Sequence, residues 1–370
     1  MKKVVFSLWD MKWLVLMLLS CILLFGNDAN AQRKSKSYLK RKNKKIGSYK
    51  GGSIHFDKNK RYISFGGSID ALNYFGDLAP KSHIVSTNIS FTRPAFTVYG
   101  TYRYTPNLSF RASLGWGRIV GDDFDSADPY GLDSRFRYIR NLSFRNDIKE
   151  FAFVATWDFF GNHGTFLNRQ GFTPYAFAGV AVFHHNPKGK VPELDKLGNP
   201  LAEAGDWVAL RPLGTEGQLS EHYDVKQYST IQPSIPFGLG FRAKLQKRLD
   251  FEFEIGYRFL FTDYIDDVSG MYVDLGALKD DLARTMSDRS REPTGILKGE
   301  PRDFEAIESV VRLTTYTSDY NNQQYTVYGG YGQEHPDNNR GMANDKDIYI
   351  VTSFKVSYII SGSFKRAKFR

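Results

Sequence analysis

Eight stretches of this chain alternate apolar and polar residues with period two, and the segments joining them swing between very short and very long. The stretches are Arg61–Leu72, Phe96–Tyr104, Ser109–Val120, Ile148–Phe160, Tyr175–His184, Pro236–Gln246, Leu249–Phe261 and Asp347–Ile360. In the seventh, Phe251, Phe253, Ile255, Tyr257, Phe259 and Phe261 share one face, with Glu252, Glu254, Gly256 and Arg258 on the other. The second and third stretches are joined by Thr105-Pro106-Asn107-Leu108 and the sixth and seventh by Lys247-Arg248. Gly161 to Pro174, between the fourth and fifth, is longer than that pattern wants. The alternate joins run Asn73–Ala95, Gly121–Asp147, His185–Ile235 and Thr262–Lys346. A soluble sandwich also alternates, but its loops have a median of about 4–6 residues. Tight turns at one end and long loops at the other belong to a transmembrane barrel. The expected fold over residues 61–360 is therefore all-β: a transmembrane antiparallel up-and-down β-barrel of about eight strands with long extracellular loops. Trp116, Trp157, Tyr257 and Tyr358 suit the aromatic girdles of such a barrel.

The N-terminal segment sets the expected compartment. Lys2, Lys3 and Lys12 precede an apolar run from Trp13 to Phe25, and Ala29-Asn30-Ala31 forms a small-x-small pattern before Gln32. Residues 1–31 thus have the features of a secretory signal peptide. The run is shorter than the roughly 20 residues a spanning helix needs, which argues against an uncleaved anchor. Cys21 raises a lipoprotein reading, but apolar residues continue past it to Phe25. Cleavage at Gln32 would remove the only cysteine, and with it any thiol chemistry. The expected location is the bacterial outer membrane, integral, with both termini periplasmic if the strand number is even.

The formal net charge of +10 is concentrated in one place. Residues 32–50 carry Arg33, Lys34, Lys36, Lys40, Arg41, Lys42, Lys44, Lys45 and Lys50 with no acid, while the chain from Gly51 onward is neutral. The body is thus uncharged overall, with a basic arm over 32–60 that repels itself and reads as disordered when free. The arm is either a solvated tail or a tether to an acidic partner or to anionic lipid. The compartment argues against nucleic acid. A second basic run, Lys365, Arg366, Lys368 and Arg370, ends the chain in a tail over 361–370. Both runs are candidate docking surfaces for outer-membrane lipid or a protein partner.

A barrel of about eight strands has a lumen just wide enough for side chains. Strand parity turns Arg103, Arg111, Arg242, Lys244, Arg258 and Lys355 inward, together with Asp158, Glu252 and Glu254. Unpaired buried charge is costly, so these are expected to form ion pairs that plug the lumen, the other reading being a narrow ion pathway. No catalytic constellation is legible, and no cofactor or metal site is expected. Asp263, Asp266 and Asp267, followed by Ser269-Gly270, lack the spacing of a calcium loop and read as a solvated turn. His184 and His185 are neighbours on a strand and face opposite ways, so they are not expected to share a metal ion.

Several motifs carry a family resemblance. They are Arg140-Asn141-Leu142-Ser143-Phe144-Arg145, Phe172-Thr173-Pro174-Tyr175, His185-Asn186-Pro187, Leu210-Arg211-Pro212-Leu213-Gly214-Thr215-Glu216-Gly217-Gln218 and Ile235-Pro236-Phe237-Gly238-Leu239-Gly240. Thr262 to Asp274 and Ser287-Asp288-Arg289-Ser290 complete the set. In order and spacing they resemble the PorG-like outer-membrane β-barrel family of Bacteroidetes. That resemblance implies a component of the type IX secretion system, associated with a periplasmic ring of a lipoprotein and its soluble partner, and it carries over no catalytic residues. The basic arm, the extended connection from Asp274 to Lys346 and the basic C-terminal end depart from the family pattern and leave a paralogue with another task open. An OmpA- or OmpX-like structural or adhesive barrel is the alternative. The motifs fall mostly on the long loops, which are expected either to fold over the barrel mouth or to contact a translocon.

Overall fold

The computed structural model describes residues 56, 60–78, 91–343 and 346–360. The signal segment, the arm residues Arg33, Lys34, Lys36, Lys40, Arg41, Lys42, Lys44 and Lys45, and the tail residues Lys365, Arg366, Lys368 and Arg370 lie outside the described residues.

Among the described residues, eight long strands close a barrel: β1 (Ile63–Phe75), β2 (Arg93–Arg103), β3 (Leu108–Asp122), β4 (Ser143–Asp158), β5 (Phe172–His184), β8 (Ile231–Lys244), β9 (Leu249–Leu260) and β12 (Ile348–Ile360). The order is β3-β2-β1-β12-β9-β8-β5-β4, and pairing of β3 with β4 completes the circle. Every pair is antiparallel, so no barrel edge is left open. The strands agree with the sequence pattern to within a few residues, except that β4 begins at Ser143 rather than Ile148 and β8 at Ile231 rather than Pro236.

Period two separates two very different faces. Outward residues such as Phe65, Ile69, Val98, Leu114, Val180 and Leu239 are exposed. A soluble monomer rarely exposes a contiguous apolar patch of more than a few hundred Å². A continuous apolar band around a closed barrel is instead the surface that lipid requires. Trp157 and Tyr358 flank the band near the short turns, and Trp116 and Tyr257 flank it near the long loops. Beyond Trp116 the outward face turns polar, where Arg118 meets Asp147 at 2.6 Å.

Inward, glycines make room for large rings, a small-against-large fit that fills a narrow barrel. A Cβ at Gly66 would lie 2.7 Å from the Tyr99 ring, and one at Gly238 2.8 Å from Phe177. Strands β3 and β4, of 15 and 16 residues, exceed the roughly 9–11 that a tilted strand needs to span a membrane. Their excess length supports a cap. There β4 pairs with β6 (Pro187–Lys190), which pairs with β7 (Trp207–Ala209).

The long connections are not structureless. They contain α1 (Asp123–Ser126), α2 (Arg135–Arg140), α3 (Asp281–Ser287), α4 (Phe304–Glu308) and a hairpin of β10 (Leu313–Thr317) and β11 (Gln324–Tyr328). One apolar cluster joins Val191, Leu210 and Leu213 of the β5–β8 connection to Val273, Leu275, Met286 and Tyr325 of the β9–β12 connection. Another joins Tyr138 and Ile139 of the β3–β4 connection to Tyr272, Ile307, Tyr328 and Tyr331. The described residues of the β3–β4, β5–β8 and β9–β12 connections fold over the mouth. Ile265 and Val268 pack against inward residues of the strands, including Leu72, Ile119, Phe183 and Leu260.

The Gly161–Pro174 connection is long because it builds a floor. Arg169 is buried there, bonds Asp250 at 2.6 Å and donates to the carbonyls of Phe166, Gln246, Lys247 and Leu249. One side chain thus fastens the β4–β5 connection to the β8–β9 turn.

Candidate functional site

Two buried polar assemblies occupy the axis of the barrel. The lower one lies among the strands, and the structure brings eight of the nine sequence-selected lumen charges into it, Lys244 being the exception. Arg103 pairs with Asp158, which also receives Arg242 at 3.1 Å. Arg242 reaches on to Glu252 at 3.2 Å. One level higher, Glu254 accepts from Arg111 and from Lys355, the latter at 2.6 Å. The Tyr175 hydroxyl lies between the two glutamates, 2.9 Å from Glu252 and 2.6 Å from Glu254. Arg258 meets Glu150 at 2.9 Å, and the Tyr349 hydroxyl donates to the same carboxylate.

Glu150 was missed in the sequence, although it shares the parity of Asp158 along β4 and so faces the same way. Lys244 departs from the expectation. It sits at the end of β8, where the lumen opens, and its ammonium donates to the Leu167 carbonyl at an exposed position.

The upper assembly joins residues of several motifs to Asp123, Tyr228 and Arg340. Arg140 is buried, pairs with Asp123 at 2.7 Å and donates to the carbonyls of Asp77 and Arg340. Asn141 adopts the left-handed conformation (φ 54°) that ends α2, and its amide reaches the carbonyls of Arg289 and Thr294. Arg340, only 2% exposed, pairs with Glu216 at 3.0 Å and donates to the carbonyls of Ser287 and Asp267. Glu216 in turn accepts from the amides of Ser269 and Gly270. Asp267 accepts from Thr215 and Tyr228 at 2.5 and 2.6 Å.

The expectation of a solvated turn for Asp263, Asp266 and Asp267 is overturned: they are 3%, 1% and 1% exposed. The physical reason is that their partners come from other loops and from the strand ends, so local spacing could not reveal them. Burial pushes Asp263 up to about 7. It raises Asp267 to about 6, against the opposing pull of Arg340, Thr215 and Tyr228.

At the seam between cap and barrel, the Tyr74 hydroxyl lies 2.7 Å from both Asp266 Oδ2 and Asp347 Oδ1. The other two carboxyl oxygens accept from Val268 N and Ile265 N. A phenol carries one proton and donates it fully to only one acceptor, so a proton on the second carboxyl would complete the contact. Burial, followed by Asp347 and Asp77, raises Asp266 well above the usual carboxylate range. Asp347 is raised in the same way, first by burial and then by Asp263 and Asp77. The two carboxyls hold the backbone positions that place Ile265 and Val268 in the mouth.

The histidines diverge as strand geometry requires. His184 is exposed, whereas His185 is buried with Nε2 2.9 Å from the Ser229 carbonyl and its ring stacked on Tyr228. A carbonyl can only accept, so Nε2 carries the proton; burial lowers the pKa to about 4 and keeps the ring neutral. The Ser269 hydroxyl donates to Asp263 at 2.8 Å. Among the described residues, no group of three or more His, Cys, Asp or Glu side chains is arranged to hold a metal ion.

Strand register, apolar band and filled lumen together define a class: the protein is an integral membrane β-barrel of the outer-membrane type. Residues 56–196 match a family described as a domain of unknown function (DUF6089). No curated protein is significantly similar to the chain. Among solved structures, the chain is similar to Neisserial surface protein A, with 8% identity over 80% of this chain and 96% of that one and a TM-score of 0.31. It is similar also to the outer membrane protein OprG from Pseudomonas aeruginosa, with 9% identity, coverage of 83% and 99%, and a TM-score of 0.33. For the attachment invasion locus protein Ail of Yersinia pestis the values are 8%, 81%, 97% and 0.29.

Proposed function

We propose that this barrel is an outer-membrane component of the type IX protein secretion system, which anchors or scaffolds the periplasmic ring and translocon at the outer membrane. The observation that carries this reading is the convergence of the motifs behind the family resemblance. Arg140, Asn141, Glu216, Asp266, Asp267 and Asp288 come from three different connections, and each is buried in the cap. A shared set of buried polar contacts is what motifs in fixed order and spacing would encode. The filled lumen also favours a holding role over a conducting one, since the space among the strands is taken by ion pairs and rings. In this reading the basic runs at 32–50 and 365–370 face the periplasm and dock on the acidic ring or on anionic lipid.

The test is affinity purification of the tagged protein from outer membranes in mild detergent, with mass spectrometry of the co-purifying proteins. Recovery of the ring lipoprotein and its soluble partner, reduced on deletion of residues 32–50, supports the proposal. Recovery of the barrel alone, under conditions that keep the ring intact, overturns it in favour of a structural or adhesive barrel without a secretion role.

A further inference from the structure

The cap contains an open cleft of about 820 Å³, bounded by residues 190–198, by residues 285–299 and by one side of β11. Clefts of roughly 300–1,000 Å³ accommodate a drug-sized ligand, which is also the scale of a few residues of extended chain. Part of its charged lining is satisfied from within: Lys196 bonds Asp288 at 2.6 Å, and Arg289 is paired with Glu292.

The main chain of β11 is what the cleft presents. In the β10–β11 hairpin, Ser318 N donates to the Gln323 carbonyl and Gly329 N donates to the Arg312 carbonyl. Hydrogen-bonded and non-bonded pairs alternate along an antiparallel ladder. Gln324, opposite Thr317, and Thr326, opposite Thr315, are therefore non-bonded positions, with N–H and C=O turned away from β10. Both residues line the cleft. Arg291, another lining residue, donates from Nη1 to the Thr326 carbonyl at 3.1 Å. A side-chain N–H from the cleft thus occupies the place that the backbone N–H of a neighbouring strand would take. The opposite face of β11 is fixed, because Tyr325 and Val327 are buried in the cap core. The edge is held rigid and in register, as strand addition requires.

We infer that this cleft binds an extended polypeptide segment, which adds as a third strand to the outer edge of β11 and displaces Arg291 from the Thr326 carbonyl. Main-chain hydrogen bonds supply the affinity, and the cleft walls supply the selection among side chains. The inference goes beyond the secretion role and does not depend on it.

The experiment uses the full-length protein in detergent and a fluorescent peptide, Leu-Thr-Thr-Tyr-Thr, copied from Leu313–Thr317, the strand that β11 accepts on its inner side. A control peptide carries N-methyl groups at alternate residues and cannot complete the ladder. Saturable binding of the first peptide and not of the second is expected. Arg291→Ala frees the carbonyl and tightens binding about three- to tenfold, the worth of one net hydrogen bond. Thr326→Pro removes the outward N–H, a change that edge strands tolerate, and abolishes binding while far-UV circular dichroism is retained. If the Thr326→Pro protein does not fold, the N-methyl comparison still decides. Equal binding of both peptides overturns the inference, as does no saturable binding to either wild type or Arg291→Ala at millimolar peptide. Self-association without peptide, lost in Thr326→Pro, also overturns it and assigns the edge to a second copy of the chain.

Discussion

The lumen and the cap bury charge by different logic. In the lumen, cations and anions belong to strands whose side-chain direction is fixed by period two, and each reaches a partner across the barrel or on a neighbouring strand. In the cap, Arg302 and Arg340 sit in irregular chain and Arg140 at the end of a short helix, and each donates to backbone carbonyls of other segments. The lumen assembly locks a barrel whose backbone ladder already closes. The cap assembly replaces a ladder, because folded loops must satisfy their backbone groups by other means. A lost ion should therefore lower the stability of the first region while its strands stay paired, and should unravel the second.

The largest effect is expected for Arg340→Ala. It leaves Glu216 buried without its cation and the Asp267 carbonyl without a donor, at a cost of about 3–5 kcal/mol. Limited proteolysis should then cut residues 185–230 and 261–347 while the strands stay resistant. Simultaneous loss of the strands would show that cap and barrel unfold as one unit and would break the comparison.

Glu254→Ala leaves Arg111 and Lys355 facing each other and should also cost about 3–5 kcal/mol, read as a lower denaturant midpoint for the barrel. The triple change of Glu254, Arg111 and Lys355 to Met should recover most of that loss, since a buried ion set replaced by apolar groups of similar volume is often neutral. Failure to recover would mean that the lumen charges specify the register as well as filling space.

The seam gives a pH dependence of defined sign. Asp266 and Asp347 are raised in the folded cap, so it binds more protons than the unfolded chain, whose carboxylates titrate near 4. Cap stability is full below that value and declines as pH rises towards the folded pKa values. Asp267 and Asp263, raised to about 6 and about 7, act in the same direction. His185, lowered to about 4, opposes them between pH 6.5 and 4, but one imidazole is set against four carboxyls. Asp347→Asn supplies the missing donor to Tyr74 permanently and keeps an acceptor for Ile265 N. Between pH 5 and 7 it should flatten the dependence by about 1.4 kcal/mol per pH unit, followed by hydrogen exchange of the cap amides. An unchanged slope would show that this pair does not share the proton.

The smallest effect is expected at Arg118→Ala. The pair with Asp147 is about 40% and 34% exposed, and its loss should cost less than about 1 kcal/mol in a denaturant titration.

The sequence by itself determined the strands, their number and the two faces of each, because side-chain direction in a strand repeats every two residues and needs no distant partner. It also marked Arg111, Glu254, Arg258 and Lys355 as lumen residues, through parity alone. Only the tertiary structure decided what the loops do. Asp266 looked like a turn residue and is a buried latch, because Tyr74, 192 positions away in the chain, meets it in the folded mouth. The same holds for Glu216 and Arg340, 124 positions apart. Local periodicity encodes direction, and partnership across such separations is set only when closure of the barrel brings the loop bases together.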